Sequence, residues 1–490
     1  MPIVKVFRDQ LYDYLGQTFT EHEFEDLCFK FGVELDEVTS DKQMAQKMRG
    51  EAVSSTEEIA SSEVIYKIDV PANRYDLLCM ESIARAFKIF LGNCSNPEFK
   101  VVVPEGDNLI HMVQHPETAS VRPFILCAVL RGVQLNQGSY DSLMALQEKL
   151  HENIGRHRSL VAIGTHDLDT LSPPFSYEAR PFADINFAPL GETKEYNVNT
   201  LFEHYRTSEN KKHLRPFLKL TDSSPVHPVI YDSKGTVLSL PPIINGDHSK
   251  ITLNTTNIFI EMTGTDLTKL NITMDMVVSA FSEYCSTPFT IEGVSVERKA
   301  DPSWNRISPS LKKEEFKGVS VEYINNLVGI DWAGEDMAAQ LAKMQMPAVF
   351  RPETNTLDVT VPHTRPDILH ICDIAEDVAI VFGYDNIKKV LPPCMTVGGQ
   401  VPLNHLTDLN RDIYAQAGFT EVLTWVLCNR DDNFKKINHK DDGKCVLIAT
   451  TRKGQEFNAV RTTLIPGLLQ VISNNQGEVK LPMRVRYPYT

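Results

Sequence analysis

Four carboxylates fall close together near residue 370: Asp367, Asp373, Glu376 and Asp377, the last three at i, i+3 and i+4 and hence on one face of a helix. Oxygen-only ligands of this kind suit Mg²⁺ or Ca²⁺ rather than zinc, and four acids converging without a counter-charge would repel. The competing reading is a solvated face. The acids stand opposite an apolar stripe of Ile371, Ile374, Val378 and Phe382, with Asp367 placed to cap the helix, and on spacing alone this is the commoner arrangement. A second group lies in GTHDLDT (164–170) and NGDHSK (245–250), each with an acid beside a histidine, followed by Glu261 in the strand-like IFIEMTG. Asn245, Asp247, His248 and Glu261 are the types that orient a water for ester hydrolysis. The plainer alternative makes Asn245, Gly246 and Asp247 turn residues, His166 a satisfied core histidine and Glu261 a paired strand carboxylate. The stretch RTSENKKHLRPFLK (206–219) is locally basic around Phe217, which suits either contact with a phosphate backbone or, more commonly, an exposed helix.

Several chemistries are missing. There is no G-x-x-x-x-G-K-[ST] loop, G-x-G-x-x-G turn, G-x-S-x-G elbow, H-E-x-x-H pair or kinase set. If the chain serves an ATP-using reaction, another chain is expected to hold the ATP.

The elements that position these residues include an internal repeat. Residues 70–92 (VPANRYDLLCMESIARAFKIFLG) align without gaps on 361–383 (VPHTRPDILHICDIAEDVAIVFG) at an offset of 291, with nine identities in 23 positions, where average composition gives about one or two. Each copy reads as a strand ending at V-P, a turn carrying R-x-D, and a helix closed by glycine. Met80, Ile83, Ala84, Phe87 and Leu91 share a helical phase with Ile371, Ile374, Ala375, Val378 and Phe382. The first copy keeps Asp76 but has Ser82, Arg85 and Ala86 where the second has Asp373, Glu376 and Asp377, so a metal at both is not expected.

Ahead of the first copy, Thr20 and Glu23 form a capping box opening EFEDLCFKF, with Gly32 as its stop, and 51–62 (EAVSSTEEIASS) reads as a mobile loop. Between the copies, short β-rich runs alternate with one expected helix, 140–154, and Asn245–Gly246 is read as a hairpin turn. After a Pro-rich junction come a helix over 403–417 and a strand, EVLTWVLC, and the end, VKLPMRVRYPYT, has no closing helix. Length fits three or four domains, and 42% apolar with 23% charged residues excludes disorder as the default. A net charge of −15 argues against bulk-charge adhesion to nucleic acid, so a nucleic-acid partner needs a local patch or a second subunit. Nine scattered cysteines without a C-x-x-C pair fit free thiols. No stretch suits a signal peptide or a membrane span, and a cytoplasmic location without membrane attachment is expected.

The motifs VIYKIDVPANRYDLLCMESIARA, LVAIGTHDLDTLSPPFSYEARPFADINFAPL, LPPIINGDHSKITLNTTNIFIE and RPDILHICDIAEDVAIVFGYDNI, in this order, strongly resemble the β subunit of cytosolic phenylalanine–tRNA ligase of eukaryotes and archaea. The resemblance covers about residues 1–469. It implies an α+β multidomain chain: an N-terminal domain with the first repeat copy (1–108), a tRNA-editing domain (109–275), a connector (276–302), a metal-binding domain with the second copy (303–390) and part of a catalytic-like but inactive class II synthetase domain built on an antiparallel sheet (391–490). It further implies a tetramer of two α and two β subunits, with ATP and phenylalanine bound by α. It implies editing of tyrosine wrongly esterified to the phenylalanine tRNA, with Glu261 reading the phenol hydroxyl and Asn245, Asp247 and His248 in the polar loop. It also implies Mg²⁺ shared with α at Asp367, Asp373, Glu376 and Asp377. After about Gln470 the pattern stops, so a shortened β chain is expected, and a non-ligase scaffold derived from such a chain is the competing function.

Overall fold

The structure is a computed structural model that describes residues 2–40, 42–43, 63–391, 394, 398–447, 457–477 and 482–487, so the expected loop at 51–62 lies outside the described residues. The chain divides into two units, residues 1–389 and 390–490.

The two repeat copies share one topology. In the first, strands Ile3–Phe7 and Glu34–Ser40 flank Val64–Asp69 antiparallel on either side. In the second, Glu314–Ser320 and Ala348–Arg351 flank Thr356–Val361 in the same way, so in each the third strand in sequence runs in the middle. That middle strand ends at Val-Pro, where proline has no N–H for the ladder. The R-x-D turn follows, then helix Met80–Phe90 or Ile371–Phe382, each closed by a glycine in the left-handed region, Gly92 at φ 78° and Gly383 at φ 87°. Ile83, Ala84 and Phe87, like Ile374, Ala375 and Val378, are buried, as their common phase predicts. The Thr20–Glu23 capping box opens helix Glu21–Phe31, an arrangement worth about 1 kcal/mol.

Between the copies lies a mixed sheet of eleven strands. Its hub is Thr290–Arg298, which pairs in parallel with Lys100–Val102 and His111–Gln114 and antiparallel with Phe124–Leu130 and Arg306–Ser308. Residues 276–302, expected as a connector, therefore hold a central strand together with the end of helix Leu267–Phe281. The strand alternates buried and part-exposed residues over much of its length, a pattern that only a partnered strand can use. The expected single helix appears as Gln137–Glu152, started by Asn136 and Ser139. Helices Leu267–Phe281, Val198–Thr207 and Arg215–Leu218 accompany it, so the one-helix reading was too sparse. Asn245–Gly246 is not the hairpin turn. Strands Val237–Leu240 and Ile244–Asn245 pair through Ser239–Asn245 and Leu240–Ile244, which puts the reversal at Pro241–Ile243. Gly246 is needed for another reason: a Cβ there would lie 2.7 Å from the Val237 carbonyl oxygen.

In the second unit helix Pro402–Gln416 matches expectation, but EVLTWVLC forms only the short pieces Thr420–Glu421 and Leu427–Cys428. The first pairs in parallel with Val485–Arg486 and the second antiparallel with Ala459–Val460, so the described ladders of this unit are not uniformly antiparallel. Among the described residues no helix is long and apolar enough to cross a membrane, and all nine cysteines are free.

Candidate functional site

Glu261 sits in strand Ile258–Gly264, every residue of which is buried. Its neighbours in register are Cys127 on one side and Gly164 on the other, while Phe259 stands beside His166. Directly paired residues share a face of a sheet, and this face holds Ile125, Cys127, Val129 and Phe259 packed against Phe175, Tyr177 and Leu238. Glu261 is thus a carboxylate set into an apolar layer. Burial pushes the neighbouring Cys127 thiol well above its usual range, and Glu261 adds to that shift.

The sheet rolls so that its two ends meet here. Strand Val161–Asp167 ends the order on one side and Ile244–Asn245 on the other. They are joined by the Asp167 N–H donating to the Ser249 carbonyl at 2.8 Å and by Asn245 Nδ2 reaching the Thr165 carbonyl at 3.5 Å. This closure carries Ser239 to Glu261, and its hydroxyl donates to Oε1 at 2.7 Å. His166 Nε2 lies 3.8 Å from the same oxygen, and its Nδ1 is hydrogen-bonded to Ser249 Oγ at 2.9 Å. Two polar atoms at this point are buried without partners, Glu261 Oε2 and His166 Nε2. Leaving such a group unpaired costs about 1–3 kcal/mol, and here two of them lie side by side. Gly164 makes the room, since a Cβ there would stand 2.1 Å from Glu261 Oε1.

Of the four editing candidates, the structure brings Asn245 and Glu261 to the same strand, Val161–Asp167, which Asn245 reaches at Thr165 and which pairs on its other side with Glu261's own strand. Asp247 is occupied in its loop, accepting from the Gly191 N–H at 3.0 Å and from Lys250 Nζ at 3.2 Å, bonds that hold its carboxyl below the usual range. His248 is exposed, and its pKa is lowered by partial burial and by His166. His166, Ser239 and Gly164 were not among the candidates. The GTHDLDT motif flagged the histidine, but the core reading assumed both ring nitrogens satisfied, and only one is.

The four acids near residue 370 do not gather. Arg365 stands between two of them, donating from Nε and Nη2 to Asp367 at 2.9 and 2.7 Å and from Nη2 to Asp377 at 2.6 Å. Burial opposes ionisation of Asp367, but Arg365 outweighs it and holds that carboxyl low, while burial prevails at Asp377 and pushes it up. One Asp373 oxygen accepts the N–H groups of Leu369 and His370, so Asp373 rather than Asp367 serves the helix start. Glu376 is exposed. The solvated-face reading therefore fails for Asp377, which is buried. The metal set meets a counter-charge it did not allow for, and among the described residues no three acids, histidines or cysteines are placed to hold an ion. The donor chemistry suits Mg²⁺, but this arrangement within the chain does not fit it.

Comparison with known proteins bears on the whole chain. Residues 1–93 match the Phe-tRNA synthetase beta subunit B1 domain, 133–286 the B3/4 domain, 318–384 the tRNA synthetase B5 domain and 387–481 the phenylalanyl tRNA synthetase beta chain CLM domain. The phenylalanine–tRNA ligase beta subunit of Homo sapiens is 46% identical over 485 residues, covering 99% of this chain and 80% of that protein. The one from Dictyostelium discoideum is 47% identical, with 99% and 77% covered, and the Arabidopsis thaliana subunit, named cytoplasmic, is 44% identical, with 99% and 79% covered. The crystal structure of an N-terminal fragment of the phenylalanyl-tRNA synthetase beta-subunit from Pyrococcus horikoshii superposes with a TM-score of 0.67 at 29% identity, covering 78% of this chain and all of the fragment. The α+β multidomain build, the four domain matches and the relatives agree: the chain belongs to the phenylalanine–tRNA ligase beta-subunit family.

Proposed function

We propose that this chain works as the β subunit of a cytoplasmic phenylalanine–tRNA ligase, assembled with an α subunit as two α and two β chains. The ligase joins phenylalanine to its tRNA with ATP, and both ATP and phenylalanine are bound by α. This chain contributes structural support and the hydrolysis of tyrosine wrongly esterified to that tRNA. In that hydrolysis water adds across the ester, tyrosine leaves as the free acid and the ribose hydroxyl regains its proton. The observation that carries the editing role is the orphaned Glu261 Oε2, buried among apolar side chains beside the orphaned His166 Nε2.

A phenol O–H donates to such an oxygen, whereas phenylalanine leaves it unpaired. Sites built to hydrogen-bond a substrate hydroxyl reject the analogue lacking it by about 10⁴–10⁵. Ser239 and the approach allowed by Gly164 fix the Glu261 carboxylate, and the loop with Asn245, Asp247 and His248 forms the adjoining wall. A role for Mg²⁺ at Asp367, Asp373, Glu376 and Asp377 rests on residue spacing and donor type, and no step here runs through it. The test is deacylation of tyrosine-charged phenylalanine tRNA by the assembled α–β enzyme. Glu261→Ala is expected to abolish it with aminoacylation retained, and unchanged deacylation would remove Glu261 from the site.

A further inference from the structure

The basic stretch 206–219 has no part in the hydrolysis just described, yet the fold brings it to the same place. Arg158 is the link. Its guanidinium lies 4.4 Å from the centre of the Phe217 ring, and its Nη1 donates to the Ile243 carbonyl at 2.9 Å, one residue before strand Ile244–Asn245. The segment leading to it is unusual: Arg156, His157 and Arg158 are three consecutive non-glycine residues at positive φ, 44°, 52° and 64°. Side chains of this kind seldom occupy the left-handed region, and runs of it concentrate where backbone is held for a purpose. The turn leaves Arg156 and His157 exposed, while Lys212, His213 and Lys219 are exposed on the chain either side of Phe217.

The charge balance here differs from that of the chain as a whole. Three neighbouring cations are neutralised locally: Arg206 by Asp222 at 2.6 Å, Lys211 by Glu192 at 2.9 Å and Arg215 by Glu209 at 2.9 Å. Among the described residues Arg156, Lys212 and Lys219 have no carboxylate partner. A chain of net charge −15 thus keeps three unpaired cations and two imidazoles on the segments that carry one Arg–Phe contact, and Arg158 ties that contact to the residue preceding strand Ile244–Asn245. Several cations presented around one contact suit a polyanion better than a single anion.

We propose that Arg156, Lys212 and Lys219, with His157 and His213, grip the phosphate backbone of the RNA strand whose aminoacylated 3′ end is presented at Glu261. This rests on the editing reading for its purpose, though not for its measurement. The test uses the assembled enzyme with Arg156→Gln, Lys212→Gln and Lys219→Gln combined, against a control with the equally exposed Lys5, Lys30 and Lys312 changed to Gln. Affinity for uncharged phenylalanine tRNA is measured across a salt series. Hydrolysis is measured on tyrosyl-tRNA and on tyrosyl-adenosine, which carries the ester without the backbone. At about 0.7–0.9 counterions per phosphate contact, the patch variant is expected to bind at least about tenfold more weakly near 0.1 M salt, with a slope of log affinity against log salt shallower by about two. Hydrolysis of tyrosyl-tRNA should fall with it, and that of tyrosyl-adenosine should hold. Unchanged affinity and slope, or an equal loss in the control, would overturn the proposal, as would an equal loss on tyrosyl-adenosine. If the unaltered enzyme hydrolyses neither ester, the editing reading fails by itself and the salt series still decides the patch.

Discussion

Two of the places that hold buried carboxylates treat them in opposite ways. Around Arg365 every charge is closed: the guanidinium bonds Asp367 and Asp377, and its remaining nitrogen donates to the Met344 carbonyl at 2.9 Å. The first repeat copy closes in the same manner, Arg74 donating to Asp76 at 3.0 and 2.9 Å. The two turns also feel each other, since Asp76 bears on Arg365 and Arg74 on both Asp367 and Asp377. Around Glu261 the opposite holds, with one neutral donor and an oxygen left open. The count of acids pointed to the first place as the chemical one. The completeness of their bonding points to the second, because buried polar groups in a finished structural network are satisfied.

That contrast can be broken or sharpened by experiment. The largest effect is expected for Arg365→Met, which strands two buried carboxylates and should cost about 3–5 kcal/mol in denaturant unfolding. Adding Asp367→Asn and Asp377→Asn should recover most of it, and a loss below about 1 kcal/mol would show the cluster does not close as drawn. Glu261→Gln is expected to invert the pattern: tyrosyl-tRNA deacylation falls by about a hundredfold or more, while stability does not fall by the roughly 3–5 kcal/mol expected at Arg365. Gly164→Ala, which pushes a methyl into the Glu261 carboxylate, should reduce the same activity by about tenfold. That corresponds to roughly 1.4 kcal/mol of transition-state stabilisation, and aminoacylation should be spared.

A smaller effect concerns His363, which stands where the first copy has Ala72. Burial, then Lys313 and Arg85, lowers its pKa to about 4. The folded value lies below the unfolded one near 6.5, so its neutral form stabilises the fold fully above about pH 6.5 and this contribution is lost as pH falls towards 4. His363→Ala should flatten stability against pH in that window by up to about 1.4 kcal/mol per unit, and an unchanged slope would refute it. Least of all is expected from Mg²⁺. Melting of this chain in chelator and in excess Mg²⁺ should coincide, whereas a rise removed by Glu376→Gln would restore the metal reading.

Much of this was legible in the residues. Period and spacing sufficed for the repeat, for both of its helices and for the Thr20 cap, because these are local. Glu261 could be named because an acid in an otherwise apolar strand is visible as such. Its surroundings could not: Ser239 and Gly164 reach it only when the two ends of a sheet close, a contact between segments far apart in sequence. Arg365 was in plain view within the R-x-D motif, but reading the acids by helical face left out the turn that precedes the helix. Asn245–Gly246 has the composition of a turn, yet the Pro241–Pro242 pair just before it takes the reversal.

The pairing of Lys100–Val102 with Thr290–Arg298 also governs when the domain can form. About 190 residues separate the partners, and the hub strand joins the sheet's two sides. As the chain leaves the ribosome, the first repeat's sheet is complete once residue 69 is out, whereas the middle sheet lacks its centre until residue 298 has emerged. Contacts of such sequence separation form late. Strand Phe124–Leu130 and its apolar face must therefore wait without a partner until Ile258–Gly264 has emerged, and half-partnered until Thr290–Arg298 follows, and a nascent chain halted before residue 290 should be protected from proteolysis in its first domain and open in its second.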